Sequence, residues 1–143
     1  MIDPSESQAQ AFFATDQTSP VIFVNCHRYF PEASYPDDFS DERYPTNVSG
    51  REAYHRYFKE VSSEFVPRVG GRILLAGSVD MVFIGEGHWD EIIMGQYPSK
   101  AHAISITTMP GYEEIAIHRE AGLEVAQTLV LSPQELLINT LAD

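Results

Sequence analysis

Residues 72–97 read RILLAGSVDMVFI (72–84), GEG (85–87), His88, then WDEIIMGQY (89–97). In the first run Ile73, Leu75, Val79, Met81 and Phe83 fall on one side of an extended chain, and Leu74, Val82 and Ile84 on the other. The alternation and the glycine-bounded turn predict two strands, 72–84 and 89–97. Both faces of these strands are partly apolar. A sheet with helices on one face alternates apolar and polar residues unless its second face is covered too. This stretch therefore predicts a sheet that is covered twice.

Working outward, Ser49-Gly50-Arg51-Glu52 has the Ser-x-x-Glu spacing of a capping box. Tyr54, Phe58, Val61 and Phe65 follow at helical period, so a helix runs from 49 to near Pro67, and Gly70-Gly71 turns the chain. Upstream, Val21 to Phe30 is β-branched and aromatic and reads as a strand, with a short helix over 4–15 before it. Residues 31–48, with Pro31, Pro36, Pro45 and the acidic run 37–42, lack a period; loops of that length are usually functional or disordered. Downstream, Ser99 caps a helix to about Thr108, Met109-Pro110-Gly111 breaks it, and a second helix spans Tyr112 to Gly122. Ala126 to Leu131 is a last strand, and 133–138 forms an apolar tail.

The order is strand, helix, strand, strand, helix, strand, which is the α+β, ferredoxin-like βαββαβ plan with an antiparallel sheet. One domain of 143 residues is expected. It comprises an N-terminal helical extension (1–19), a core (20–131) carrying the 31–48 insertion, and a C-terminal tail (132–143). Two helices cover one face of such a sheet and nothing remains for the other. A second copy of the chain, in a homodimer, answers the two-sided pattern.

Charge narrows the partners. The formal net charge is −12, from 21 acidic and 9 basic side chains, with one lysine, Lys100. Nucleic acid is bound by lysine and arginine clusters, so no nucleic-acid or anionic-membrane partner is expected. No segment has the roughly 20 apolar residues of a membrane span. Met-Ile-Asp-Pro-Ser-Glu lacks the basic start and apolar run of a secretory signal. The single cysteine, Cys26, fits a reducing compartment. The expectation is a cytoplasmic protein.

His27, His55, His88, His102 and His118 are separated by 28, 33, 14 and 16 residues, so none has the i, i+4 spacing of a helical metal site. No metal and no cofactor is expected. A hydrolase elbow, Gly-x-Ser-x-Gly, is absent from the sequence. What remains is a softer set. His27 and Tyr29 share one face of the first strand, Trp89, Glu91 and Tyr97 one face of the third, and His118-Arg119 lies on the last helix. Convergence of these would make an apolar, polar-lined cavity between sheet and helices, as ligand sites usually are. The bland alternative pairs Arg119 with Glu91, Glu113 or another local carboxylate and makes Trp89 core.

Five short motifs then occur in order: Gly70-Gly71-Arg72-Ile73-Leu74, Glu86-Gly87-His88-Trp89, Tyr97-Pro98-Ser99, Met109-Pro110-Gly111-Tyr112, and Arg119. With Tyr54 and Tyr57 in the first core helix, they make residues 20–131 resemble the DUF1330 family, a domain of unknown function in the dimeric α+β barrel superfamily. The resemblance implies a ferredoxin-like fold and a dimer in which two sheets form a barrel. It implies no reaction, since relatives in that superfamily include cofactor-free monooxygenases, haem-degrading enzymes and binding modules. The chain departs from the family in its 31–48 segment and its N-terminal helix.

Three functions fit. The first is a small dimeric barrel protein binding a small organic carboxylate or aromatic ligand, with His27, Trp89, Tyr112, His118 and Arg119 at the pocket. The second is a cofactor-free monooxygenase using Asn25 or His27. The third is a structural dimer without a catalytic site.

Overall fold

The structure, a computed structural model, describes residues 1–133; from residue 134 on, the expected tail lies outside the described residues. Helix α1 spans Glu6–Ala14, and strand β1 Val21–Tyr29. Helix α2 covers Gly50–Glu60 and runs through a π-helical turn, Val61–Phe65, into the short α3, Val66–Arg68. Strands β2 (Arg72–Ser78) and β3 (Glu91–Tyr97) follow. Helix α4 (Lys100–Ser105) and a 3-10 turn lead to α5 (Tyr112–Gly122) and β4 (Leu123–Leu131). The sheet order is β2-β3-β1-β4 with antiparallel pairs throughout, the expected ferredoxin-like arrangement.

The register sorts the residues by face. Val21, Phe23, Asn25, His27 and Tyr29 share a side with Glu91, Ile93 and Tyr97. Helices α2 and α5 lie on that side, and the core joins Tyr29, Ile93 and Leu123 to Tyr54, Tyr57, Val61, Phe65 and Ile106. The opposite face carries Val24, Ile92, Met94 and the exposed Leu75, Leu129 and Leu131.

Four expectations change in detail. Strand β2 stops at Ser78 rather than Ile84, and β3 begins at Glu91 rather than Trp89. The reason is Asp90, which turns toward β1: its N–H donates to the His27 carbonyl (2.8 Å) and its carboxylate accepts from the Tyr29 N–H (2.8 Å). Past the Val79–Asp90 bond the two arms part, and Met81, Val82, Phe83 and Ile84 are exposed. Strand β4 starts at Leu123, directly from α5. The reciprocal capping box forms at Ser5–Gln8 of α1, whereas at Ser49–Glu52 one half is present: Ser49 Oγ accepts from the Glu52 N–H at 3.1 Å.

One contact locks the layers. The Phe30 N–H donates to the Gly122 carbonyl (2.9 Å) and the Gly50 N–H to the Phe30 carbonyl (3.0 Å). A Cβ on Gly50 would lie 2.2 Å from the Phe30 oxygen, and one on Gly122 would lie 2.3 Å from the Gly50 oxygen. Gly122→Ala should therefore destabilise the protein by about 3 kcal/mol or more, as overpacking against backbone does. Ser49→Ala should cost about 1 kcal/mol, and Glu52→Ala nearly nothing. Urea midpoints of the three variants check the order; equal midpoints for Ser49→Ala and Glu52→Ala would contradict it.

Candidate functional site

The end of the sheet where β1 finishes and β3 begins holds a polar cluster. Glu91 pairs with His27 across the β1–β3 ladder and is buried, 4% exposed. Its carboxylate accepts from three side chains: Tyr29 Oη (2.5 Å), Arg51 Nη1 (3.1 Å) and His55 Nε2 (2.9 and 3.1 Å to its two oxygens). An isolated buried carboxylate is costly, and three donors are what makes this one tolerable. Arg51 and His55 are four residues apart on α2, so they emerge on one side of the helix. Arg51 also donates to the Asp90 carbonyl (3.1 Å), and its guanidinium lies over the Tyr29 ring, 5.3 Å from the centroid. Both are half-exposed, so the buried carboxylate reaches solvent through two cation-forming groups.

Proton positions follow from counting donors. The single Tyr29 hydroxyl hydrogen goes to Glu91, so the weaker contact to His27 Nδ1 (3.4 Å) must be donated by the imidazole. Burial, with the Arg119 charge adding to it, lowers the His27 pKa to about 4 and keeps the ring neutral. Burial first, and then its bond to Glu91, raises the Tyr29 pKa and keeps the phenol protonated.

Beside this cluster a cleft of about 580 Å³ is lined by Arg28, Tyr29, Phe30, Arg51, His88 and Asp90, among others. Its charges are partly paired: Arg28 faces Glu124 at 3.6 Å and His88 faces Asp90 at 3.2 Å.

Of the five residues singled out from sequence, the structure brings His27 to this cluster and distributes the rest. Trp89 lies in the 79–90 connection between the cleft residues His88 and Asp90. Tyr112 Oη bonds Tyr57 Oη at 3.0 Å. His118 is buried under the 31–48 segment, where Tyr35, Phe39 and Tyr44 gather around its ring. There Arg56 donates to Tyr35 Oη (2.9 Å), so the phenol hydrogen goes to His118 Nδ1 (2.6 Å). Burial, and then the Arg56 charge, lowers the His118 pKa. Arg119 grips the N-terminal segment, donating to the Ile2 carbonyl (2.6 Å) and pairing with Asp3 (3.1 Å), a carboxylate distant in sequence, rather than with Glu91 or Glu113. Sequence reading missed Arg51 and His55. Their i, i+4 spacing was the available signal, but it gains meaning through Glu91, a partner on another element.

A lowered histidine pKa ties stability to pH. A group whose folded pKa lies below its unfolded value supports the fold above the unfolded value, and that support is lost as pH falls toward the folded one. For His27 the window runs from about 6.5 down to about 4, and the effect is on the order of 3 kcal/mol. His118 acts in the same direction. Stability from urea titrations should fall across that window, and His27→Gln should flatten the fall. A pH-independent wild-type midpoint between 6.5 and 4 would refute the burial argument.

Comparison with known proteins places this geometry. No curated protein matches the chain. It is similar to RPA0582, a protein of unknown function from Rhodopseudomonas palustris, at 31% identity over 92% of this chain and 95% of that one, with a TM-score of 0.78. The crystal structure of the methylated RPA0582 protein gives 31% identity, 93% and 94% coverage, and a TM-score of 0.79. At3g17210 from Arabidopsis thaliana, at 17% identity, shares the fold with a TM-score of 0.50 over 80% of this chain and 95% of that one. Residues 45–132 match the domain of unknown function DUF1330, a span from just before α2 to the end of β4. With more than half of its length in that match, the chain belongs to the DUF1330 family.

Proposed function

We propose that this protein binds a small organic acid, aromatic or aliphatic, at the cleft beside Arg51 and Glu91, and that it does so as a homodimer whose sheets close on each other. The observation that carries the reading is the Glu91 cluster. A chain whose role was purely structural could fill that position with an apolar side chain at equal or better stability, because burying an ion pair seldom adds net stability. The organic-acid preference follows from where the scarce positive charge lies. The chain has 9 basic residues against 21 acidic ones, yet Arg28, Arg51 and His88 border one cleft with the rings of Tyr29 and Phe30. Both arginines already face protein oxygens, Arg51 those of Glu91 and Asp90 and Arg28 that of Glu124. A ligand carboxylate would bind through their remaining N–H groups, and the aromatic walls suit an apolar body.

The dimer is supported by the sheet face opposite the helices, with Leu75, Leu129 and Leu131 each more than 40% exposed. Contiguous exposed apolar surface marks an interaction site. The monooxygenase reading has less behind it. Asn25 Nδ2 donates to the Ile93 carbonyl and its Oδ1 accepts from Thr128 Oγ1, so its amide is engaged at both atoms and His27 is left for that role.

Trp89, the single tryptophan, sits between two cleft residues and should report occupancy. Benzoate and phenylpyruvate are expected to change its fluorescence and raise the melting temperature. Arg51→Lys should weaken the binding about tenfold, a loss of about 1.4 kcal/mol. Arg119→Lys should instead lower stability without ligand, since its fork ties down Ile2 and Asp3. Light scattering at micromolar concentration should give about twice 16.0 kDa. A monomer mass would sink the dimer, and a silent carboxylate screen would sink the ligand.

A further inference from the structure

We propose that the 31–48 segment is a strap latched on His118, and that protonation of His118 releases it from helices α2 and α5 while the core stays folded.

The ties between this segment and the rest of the chain are few. Its backbone is fixed at the ends, where the Ser34 N–H donates to the Ala121 carbonyl (2.7 Å) and the Ala33 N–H to the Val48 carbonyl (2.9 Å). Among the described residues, the backbone–backbone bonds of residues 35–47 stay within the segment, from Phe39 to Pro36 and from Tyr44 to Asp41. One hydroxyl makes the side-chain hydrogen bonds to the helices. Tyr35 Oη accepts from Arg56 Nη1 on α2 (2.9 Å) and donates to His118 Nδ1 on α5 (2.6 Å). The rings of Phe39 and Tyr44 complete the contact, centred 5.9 and 4.5 Å from the His118 ring. The Arg56 guanidinium lies over the Tyr35 and Tyr44 rings.

A single proton undoes the arrangement at that hydroxyl. Nδ1 accepts only while the imidazole is neutral, because both nitrogens of an imidazolium are donors. The Tyr35 oxygen would then face two cationic donors, Arg56 and His118, and its own hydrogen would lose its acceptor. The charged and titratable groups around the ring come from three elements: Arg56 and Glu60 on α2, Glu113 and Glu114 on α5, and Asp41, Arg43 and Tyr44 in the segment. Arg56 and Arg43 oppose a charge on the ring. Asp41 favours one, but its two oxygens already accept from Arg43 at 3.1 and 2.8 Å. Burial of the ring adds to the opposition. Once the strap is released, the imidazolium meets water and the carboxylates at the rim. The neutral ring therefore belongs to the closed strap and the charged ring to the open one. Closure is held above the ordinary imidazole range and weakens as pH falls below it, by up to about tenfold in the opening equilibrium per pH unit. Opening widens the cleft of about 470 Å³ that Phe39, Asp41, Arg43 and Tyr44 border on one side.

Proton NMR of the full chain tests the latch through the contacts of the Arg56 side chain with the Tyr35 and Tyr44 rings, between about pH 7.5 and about pH 5. In wild type these contacts should be lost with the midpoint at which the His118 ring protons titrate. The contact of Tyr57 with Tyr112, which reports the core, should remain. His118→Asn keeps an acceptor at the Nδ1 position and has nothing to titrate, so its strap contacts should persist at the lower pH. Tyr35→Phe keeps the ring but removes the latch, and should lose the Arg56–Tyr44 contact already at the higher pH; it carries the test if His118→Asn does not fold. Strap contacts that survive the titration of His118, that vanish only together with the core contact, or that are lost alike in His118→Asn overturn the proposal, as does a Tyr35→Phe strap as closed as the wild type.

Discussion

The polar end of the sheet hangs on the backbone contact among Phe30, Gly50 and Gly122. Three elements meet there: the exit of β1, the first residue of α2 and the last residue of α5. The Phe30 amide and carbonyl each bond one of the glycines, and neither glycine leaves room for a Cβ. Both glycines are helix-terminal, where the propensity cost of a helix interior does not apply. What they secure is the close seating of α2 over the end of β1. A wider approach would lift Arg51 and His55 off Glu91, because both belong to the first turn and a half of that helix.

Glu91 is the second constraint, and its energetics point away from a stability role. Removing a carboxylate from water costs several kcal/mol, and charge-assisted bonds return about 1.5–3 kcal/mol each. Three donors bring the sum near balance. An arrangement near balance persists without strain, but it gives folding little to select. Its distinguishing property is polarity held in one orientation at low solvent exposure, which is what recognition and acid–base chemistry require.

Much of the fold was legible in the sequence because it rests on short-range patterns. The stripe Tyr54, Phe58, Val61, Phe65 marks α2 at helical period, and Gly111 and Gly122 bound α5. Errors came where a distant partner decides. Val79 to Ile84 has the composition of a strand, but pairing depends on β3, and Asp90 is diverted to β1. The capping box expected at Ser49–Glu52 forms only in half, and the complete one, at Ser5–Gln8, was not read from the sequence. The site was less legible for the same reason. Arg119 finds its carboxylate at Asp3, 116 positions away, and Glu91 is bound by residues 36 to 62 positions upstream. No local period carries that information.

The period of α2 then explains how one helix serves three surroundings at once. Tyr54, Tyr57 and Val61 are buried in the core. Arg51 and His55 project to the end of the sheet and Glu91. Arg56 bonds the Tyr35 phenol that also holds His118, and Glu60, one turn on, borders the same cleft as Tyr44 and His118. Residues 55 and 56 are adjacent in the chain, yet about 100° apart around the helix they address different partners. A helix rotates as a unit and this one is clamped at Gly50. The 31–48 segment, through Tyr35, and Glu91 at the end of the sheet therefore hold the same helix from different sides. An insertion that looks peripheral in the sequence thereby packs against the helix that carries Arg51 and His55.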